Sequence, residues 1–161
     1  AASASARGAP ADVSVRVSGL VDAPPGAAFA VVSDPEQDPL WRESVKGVEL
    51  SSGQAQTVGA AYAAHVEAMG RKIEARVQLT ALDPPRHVAY SLTKPVRASA
   101  SYTVEPEGDG ARVTFELDLS SSGGMASIRE RVIAGFIAQG AERDLRSLAL
   151  LLRGDGEGTS S

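Results

Sequence analysis

Between Arg71 and Ser120 the side chains alternate, apolar then polar, through four successive segments. One face reads Ile73, Ala75, Val77 and Leu79, then Val88, Tyr90 and Leu92, then Ala98, Ala100, Tyr102 and Val104, then Val113, Phe115, Leu117 and Leu119. The opposite face reads Lys72, Glu74, Arg76 and Gln78, then Arg112, Thr114, Glu116 and Asp118. A period of two belongs to β-strands, whose successive side chains point to opposite sides, so one face of this sheet is covered and the other is wet. The apolar face has to be buried against another part of the chain.

Six strands are expected from Val45 onward: Val45–Ser51, Ala60–Met69, Arg71–Leu82, His87–Thr93, Ala98–Glu105 and Arg112–Ser120. Turn chemistry separates them at Ser52-Gly53, Gly70, Asp83-Pro84-Pro85, Lys94-Pro95 and Glu107-Gly108-Asp109-Gly110, and such short links suit an antiparallel meander. An earlier strand, Val13–Val21, alternates Val13, Val15 and Val17 with Ser14, Arg16 and Ser18. Ala23-Pro24-Pro25-Gly26 ends it, and Pro25 suits the first turn of a helix. Ala27, Ala28, Phe29, Val31 and Val32 make that helix short and apolar. Asp34-Pro35 stops it, because a residue before proline avoids the α region. A second short helix is expected from Pro35 to about Arg42, carrying Trp41.

The cover for the sheet is the last element. Ile133, Ile137, Ala141, Leu145, Leu148 and Leu152 form one helical stripe, widened by Val132, Phe136 and Leu151. A helix over Ile128–Arg153 would be roughly 39 Å long. Gly135 and Gly140 weaken it by about 1 kcal/mol each relative to alanine, and Gly154 suits a C-cap. The expected fold class is therefore α+β: a curved seven-stranded antiparallel sheet wrapped around a long C-terminal helix, with two short helices after the first strand.

Composition bears on the core and on the partners. The 161 residues include 27 alanines but only seven aromatics, so the core is built largely from small aliphatics and is either tightly packed or hollow. A net charge of −4, with thirteen arginines and three lysines scattered among acidic residues, argues against a nucleic-acid partner. Without cysteine, and with only His65 and His87 on either side of a turn, no metal site is expected. No apolar run reaches the roughly 18–20 residues of an integral membrane segment, and the start lacks a signal-peptide stretch, so a cytoplasmic location is expected. Polar ends at 1–11 and 154–161 are expected to be disordered tails around one domain, 12–153.

The order of elements and the residues at their joints resemble the START/SRPBCC superfamily, the helix-grip fold, and within it the bacterial polyketide cyclase/dehydrase-like branch. Four stretches carry the resemblance: VDAPPGAAFAVVSDPEQDPLWRESVKGVEL, VQLTALDPPRHVAYSLT, SYTVEPEGDGARVTFELDL and AERDLRSLALLLRG. The first matches the family's opening pattern through Ala23, Pro24, Phe29, Val32, Asp34, Pro35 and Trp41; the second matches its hairpin through Pro84-Pro85 and Tyr90. The resemblance implies a cavity between sheet and helix for an apolar or amphipathic ligand. It does not imply catalysis, because carriers, sensors, protein-binding modules and enzymes share the scaffold.

On that reading the inward Ala64, Ala68, Ala75, Ala98 and Ala100 leave space, bordered by Phe29, Trp41, Tyr62, Tyr90, Tyr102, Phe115 and Phe136, with Val132 on the helix. The alternative is that the alanines admit the helix closely and the rings are ordinary core. Each tyrosine is either a polar handle for the ligand or a core residue bonded within the protein. Trp41 is expected near the mouth, packing on the first helix or on a ligand. His65 and Glu67 are expected to point outward, His87 to border a turn, Asp144 to sit exposed on the flank of the helix, and Arg97 to be solvated or to line the mouth. No G-x-S-x-G stands in the chain, so a serine nucleophile lacks support. Ser120-Ser121-Ser122-Gly123-Gly124 is expected to be a hinge before the last helix.

The function expected is binding, transport or sensing of a lipid- or polyketide-like small molecule, with no cofactor. The alternative is a cyclase, aromatase or dehydratase, a lyase using the same cavity without metal or organic cofactor. A protein-interaction module is a third class. The first and last strands of an open sheet could pair between chains into a homodimer.

Overall fold

Val13 of the first strand pairs with Leu119 of the last, and this closure from one end of the chain to the other organises the fold. The structure, a computed structural model, describes residues 13–68, 70–119 and 128–160. In chain order the elements are β1 (Val13–Val21), α1 (Pro25–Val32), a 3-10 helix (Pro35–Leu40), β2 (Val45–Ser52), β3 (Ala61–Ala68), β4 (Arg71–Asp83), β5 (His87–Lys94), β6 (Ala98–Glu107), β7 (Gly110–Leu119) and α2 (Ile128–Ser160). All seven strands form one antiparallel sheet in the order β1-β7-β6-β5-β4-β3-β2. This is the expected α+β helix-grip architecture, with the short helices after β1.

Register explains why the alternation is so regular. Tyr62 faces Val77, Val77 faces Leu92, Leu92 faces Ala98 and Ala98 faces Leu119, so one apolar row crosses five strands. A one-residue slip would turn that row to solvent. The outer face carries ion pairs such as Arg76–Glu74 at 2.8 Å and Arg112–Glu107 at 2.8 Å.

Some expectations change. β7 lies inside the sheet between β1 and β6, so the open edges are β1 and β2 and not the first and last strands. The second short helix is a 3-10 helix that stops at Leu40, with Trp41 as its C-cap; Pro39 inside it withholds a backbone donor. Asp34 caps its start, Oδ1 accepting from the Glu36 N–H at 3.2 Å. The bounds of α2 run past Gly154, the expected cap, since one glycine costs a helix about 1 kcal/mol and need not end it. The 1–11 tail and the hinge at 120–124 lie outside the described residues.

α2 packs mainly on β1 and more lightly on β7. Leu145 of α2 comes close to β1 at Gly19, where a Cβ would meet the Leu145 Cβ at 3.4 Å, an ordinary contact. Ala141, Leu145, Leu148 and Leu152 of α2 are buried with Val15, Val113, Leu117 and Leu119 of β1 and β7. The packed core thus occupies the β1–β7 side and the C-terminal part of the helix.

Candidate functional site: a cavity with one polar end

Away from that packed side, a cavity of about 640 Å³ lies between the sheet and the N-terminal half of α2. Its floor owes its depth to small side chains: Ala64 of β3 stands directly across from Ala75 of β4, next to the Val66–Ile73 pair. Ile133, Phe136, Ile137 and Gly140 form the helix wall. Val132, which also lines the cavity, is 56% exposed and marks where it meets solvent.

Of the residues expected at the site, Trp41, Ala64, Ala75, Tyr102, Phe115, Val132 and Phe136 line this cavity, as does Ala68. Phe29, Tyr62, Tyr90, Ala98 and Ala100 do not line it. Phe29 is buried in the core from α1. Ala98 belongs to the same packed core and Ala100 lies against it. Tyr62 is fully buried and its hydroxyl accepts from the Gln56 N–H at 2.9 Å. Tyr90 donates its hydroxyl to the Val32 carbonyl at 2.9 Å. Strand parity puts Tyr62, Tyr90, Ala98 and Ala100 on the covered face, but which part of that face is packed depends on where α2 lies, and parity carries no such information.

Tyr102 differs from the other two tyrosines. It is buried, it lines the cavity, and among the described residues its hydroxyl has no hydrogen-bond partner. Its ring packs edge-on to Trp41 at 5.9 Å and tilted against Phe115 at 5.2 Å. The buried Nε1 of Trp41 also lacks a partner among the described residues.

Beside these rings sits a charged cluster. Arg42 donates from Nη1 to Asp38 Oδ2 at 3.1 Å and from Nε to Asp144 Oδ2 at 3.4 Å. All three residues line the cavity, and the carboxylate side chains of Asp38 and Asp144 are only 15% and 10% exposed. Burial pushes the Asp38 carboxyl up to about 6, against the opposing pull of Arg42. Burial also raises Asp144, again opposed by Arg42. Burial disfavours the charge on Arg42, but Tyr102, Asp38 and Asp144 together hold its affinity for the proton above the usual value. Tyr102 is held well above the ordinary phenol range by burial, with Arg42 pulling the other way.

Asp144 therefore corrects an expectation: it is 7% exposed, not on an exposed flank. It follows Ala141 by three positions, which puts it on the covered stripe of the helix, and Arg42 makes that burial tolerable. Asp38 and Arg42 are missed by the sequence reading. Their only local signal is an Asp–Arg pair four apart around Trp41. His65 and Glu67 are exposed as expected, with His65 Nε2 against Glu49 at 3.3 Å. His87 Nδ1 lies 3.2 Å from Thr103 Oγ1. Arg97 is exposed, while its neighbours Pro95 and Val96 line the cavity. Among the described residues no cluster of three metal-ligating side chains forms, and no helix is long and apolar enough to cross a membrane.

Comparison with known proteins agrees with this architecture. A START superfamily protein from Mycobacterium smegmatis superposes with a TM-score of 0.74 at 15% identity, covering 88% of this chain and 97% of its own. The protein TTHA0849 from Thermus thermophilus gives 0.72 at 19% identity, covering 89% and 99%. A solution structure from Thermobifida fusca gives 0.69 at 22% identity, covering 84% and 90%. At these identities the likeness is one of fold. No curated protein sequence matches the chain significantly. The family model described as "Polyketide cyclase / dehydrase and lipid transport" matches residues 12–153, nearly the whole described chain, and the chain belongs to that family.

Proposed function

We propose that the protein binds a single apolar or amphipathic small molecule, lipid- or polyketide-like, as a carrier or sensor. The observation that carries this reading is the cavity of about 640 Å³, which falls within the roughly 300–1,000 Å³ of small-molecule sites. Its walls are mostly aliphatic and aromatic, and the Asp38–Arg42–Asp144 cluster makes a polar patch among them, which suits an amphipathic guest. Native mass spectrometry of the whole chain with a panel of lipids and aromatic polyketides tests it. A one-to-one adduct that disappears when Ala75→Phe fills the floor is expected. A wild-type protein that takes up nothing from the panel would overturn the reading.

A second reading, a cyclase- or dehydratase-type lyase, is favoured by one observation. Asp38 lines the cavity with a carboxyl held near 6, in the range where a side chain can both accept and return a proton at neutral pH. On this reading Asp38 removes a proton next to a substrate carbonyl, and Tyr102 hydrogen-bonds to the oxygen that gains charge. Deuterium exchange into the activated methylene of a bound diketone, followed by NMR, tests it. Exchange that is fast with wild type and slow with Asp38→Asn is expected; equal rates would leave binding alone.

A further inference from the structure

The polar end of the cavity has a charge balance that bears on which head group fits there. Among the described residues Arg42 is the one lining guanidinium that is half-buried and not exposed, and both Asp38 and Asp144 are bonded to it. With all three ionised, the formal charge of the cluster is −1. Arg71 and Arg143 also line the cavity, but both side chains are exposed, and Arg143 reaches Glu43 at 3.5 Å. Their fields are screened by water at the rim. What the buried end offers a guest is neutral hydrogen bonding from the Tyr102 hydroxyl, which has no partner among the described residues.

We infer that this end admits an uncharged oxygen-bearing head, an ester or ketone carbonyl or a hydroxyl, and turns away a carboxylate or phosphate. The inference rests on the proposed binding function and narrows its ligand class. An anionic head would enter a poorly solvated site already carrying excess negative charge, with the half-buried Arg42 guanidinium occupied on two sides. Like charges in such surroundings repel far more strongly than in water. A neutral carbonyl loses less on leaving water, and here it meets the Tyr102 hydroxyl, a donor that is otherwise unused. The tail of such a molecule then lies along Ala64, Ala75 and Phe136.

Three probes with one tail separate the cases: methyl laurate, dodecanol and laurate, titrated into the full chain at about pH 8, where Asp38 is ionised. Methyl laurate and dodecanol are expected to bind at least about tenfold more tightly than laurate. In Asp38→Asn/Asp144→Asn the formal charge of the cluster becomes +1, and laurate is expected to overtake the ester. Tyr102→Phe is expected to weaken methyl laurate by about fivefold, one hydrogen bond's worth, with little change for laurate. Wild-type protein that binds laurate as well as the ester overturns the inference and leaves the binding function standing, and this comparison needs no variant to fold. Uptake of none of the three probes would also overturn the inference, and the binding function is then decided by the wider panel of lipids and polyketides.

Discussion

Arg42 and Asp144 stand 102 positions apart in the chain and meet inside the cavity, Nε to Oδ2 at 3.4 Å. The contact ties the end of the 3-10 helix to the middle of α2, across the space that α2 roofs. Replacing Arg42 with methionine leaves two carboxylates without their shared cation. Loss of one partner from such a half-buried pair costs about 1–3 kcal/mol, less than for a fully buried one. Urea unfolding of Arg42→Met should show that loss. Adding Asp144→Asn should recover part of it, whereas strictly additive losses would mean that the two residues are not coupled.

Stability should also depend on pH through Asp38. Its carboxyl titrates near 3.8 when unconstrained and near 6 in the folded protein, so between those values the folded state holds more proton than the unfolded. The neutral form is the one that folding favours, and its contribution is complete below about pH 4 and fades as pH rises through 6. The loss amounts to about 2–3 kcal/mol over that interval. Denaturation of wild type and Asp38→Asn across this range gives the difference curve, and a carbon-13 titration of the Asp38 side chain should have its midpoint near 6. A flat difference curve would contradict the assignment.

Two glycines should respond in opposite directions. A Cβ on Gly110 would run into the Val21 carbonyl oxygen, so Gly110→Ala should destabilise by about 1–3 kcal/mol. Gly135 is exposed on α2, and a Cβ there meets nothing within 4 Å. Gly135→Ala should therefore stabilise by up to about 1 kcal/mol. Thermal melts of the two variants check both signs.

The tyrosines offer a paired test. Tyr90→Phe leaves the buried Val32 carbonyl without the hydroxyl it accepts from, at a cost of about 1–2 kcal/mol. Tyr102→Phe removes a hydroxyl that bonds to no described residue, so stability should change by less than about 0.5 kcal/mol. Chemical denaturation of both should separate them, and equal losses would argue that Tyr102 is satisfied within the protein.

The strands were legible because a sheet with one wet face imposes a period of two on the sequence: Lys72 to Leu79 shows it in eight residues. The covering helix was legible from the spacing of Ile133, Ile137, Ala141 and Leu145. Neither pattern says where on the sheet the helix rests. That choice is made by contacts between distant residues, such as Leu145 against β1 at Gly19, and neither strand nor helix periodicity carries them. The charged cluster was hidden for the same reason. Asp144 looked like a flank residue until Arg42 supplied the counter-charge that permits its burial.

The helix α2 is anchored at one end and spans a hollow at the other. A guest in that hollow would act as core that the chain itself does not encode. At a hundred times its dissociation constant it would add about 2.7 kcal/mol to the folded state. The melting temperature then becomes a gauge of guest concentration, and proteolytic lifetime follows the same scale: the empty protein would be degraded first.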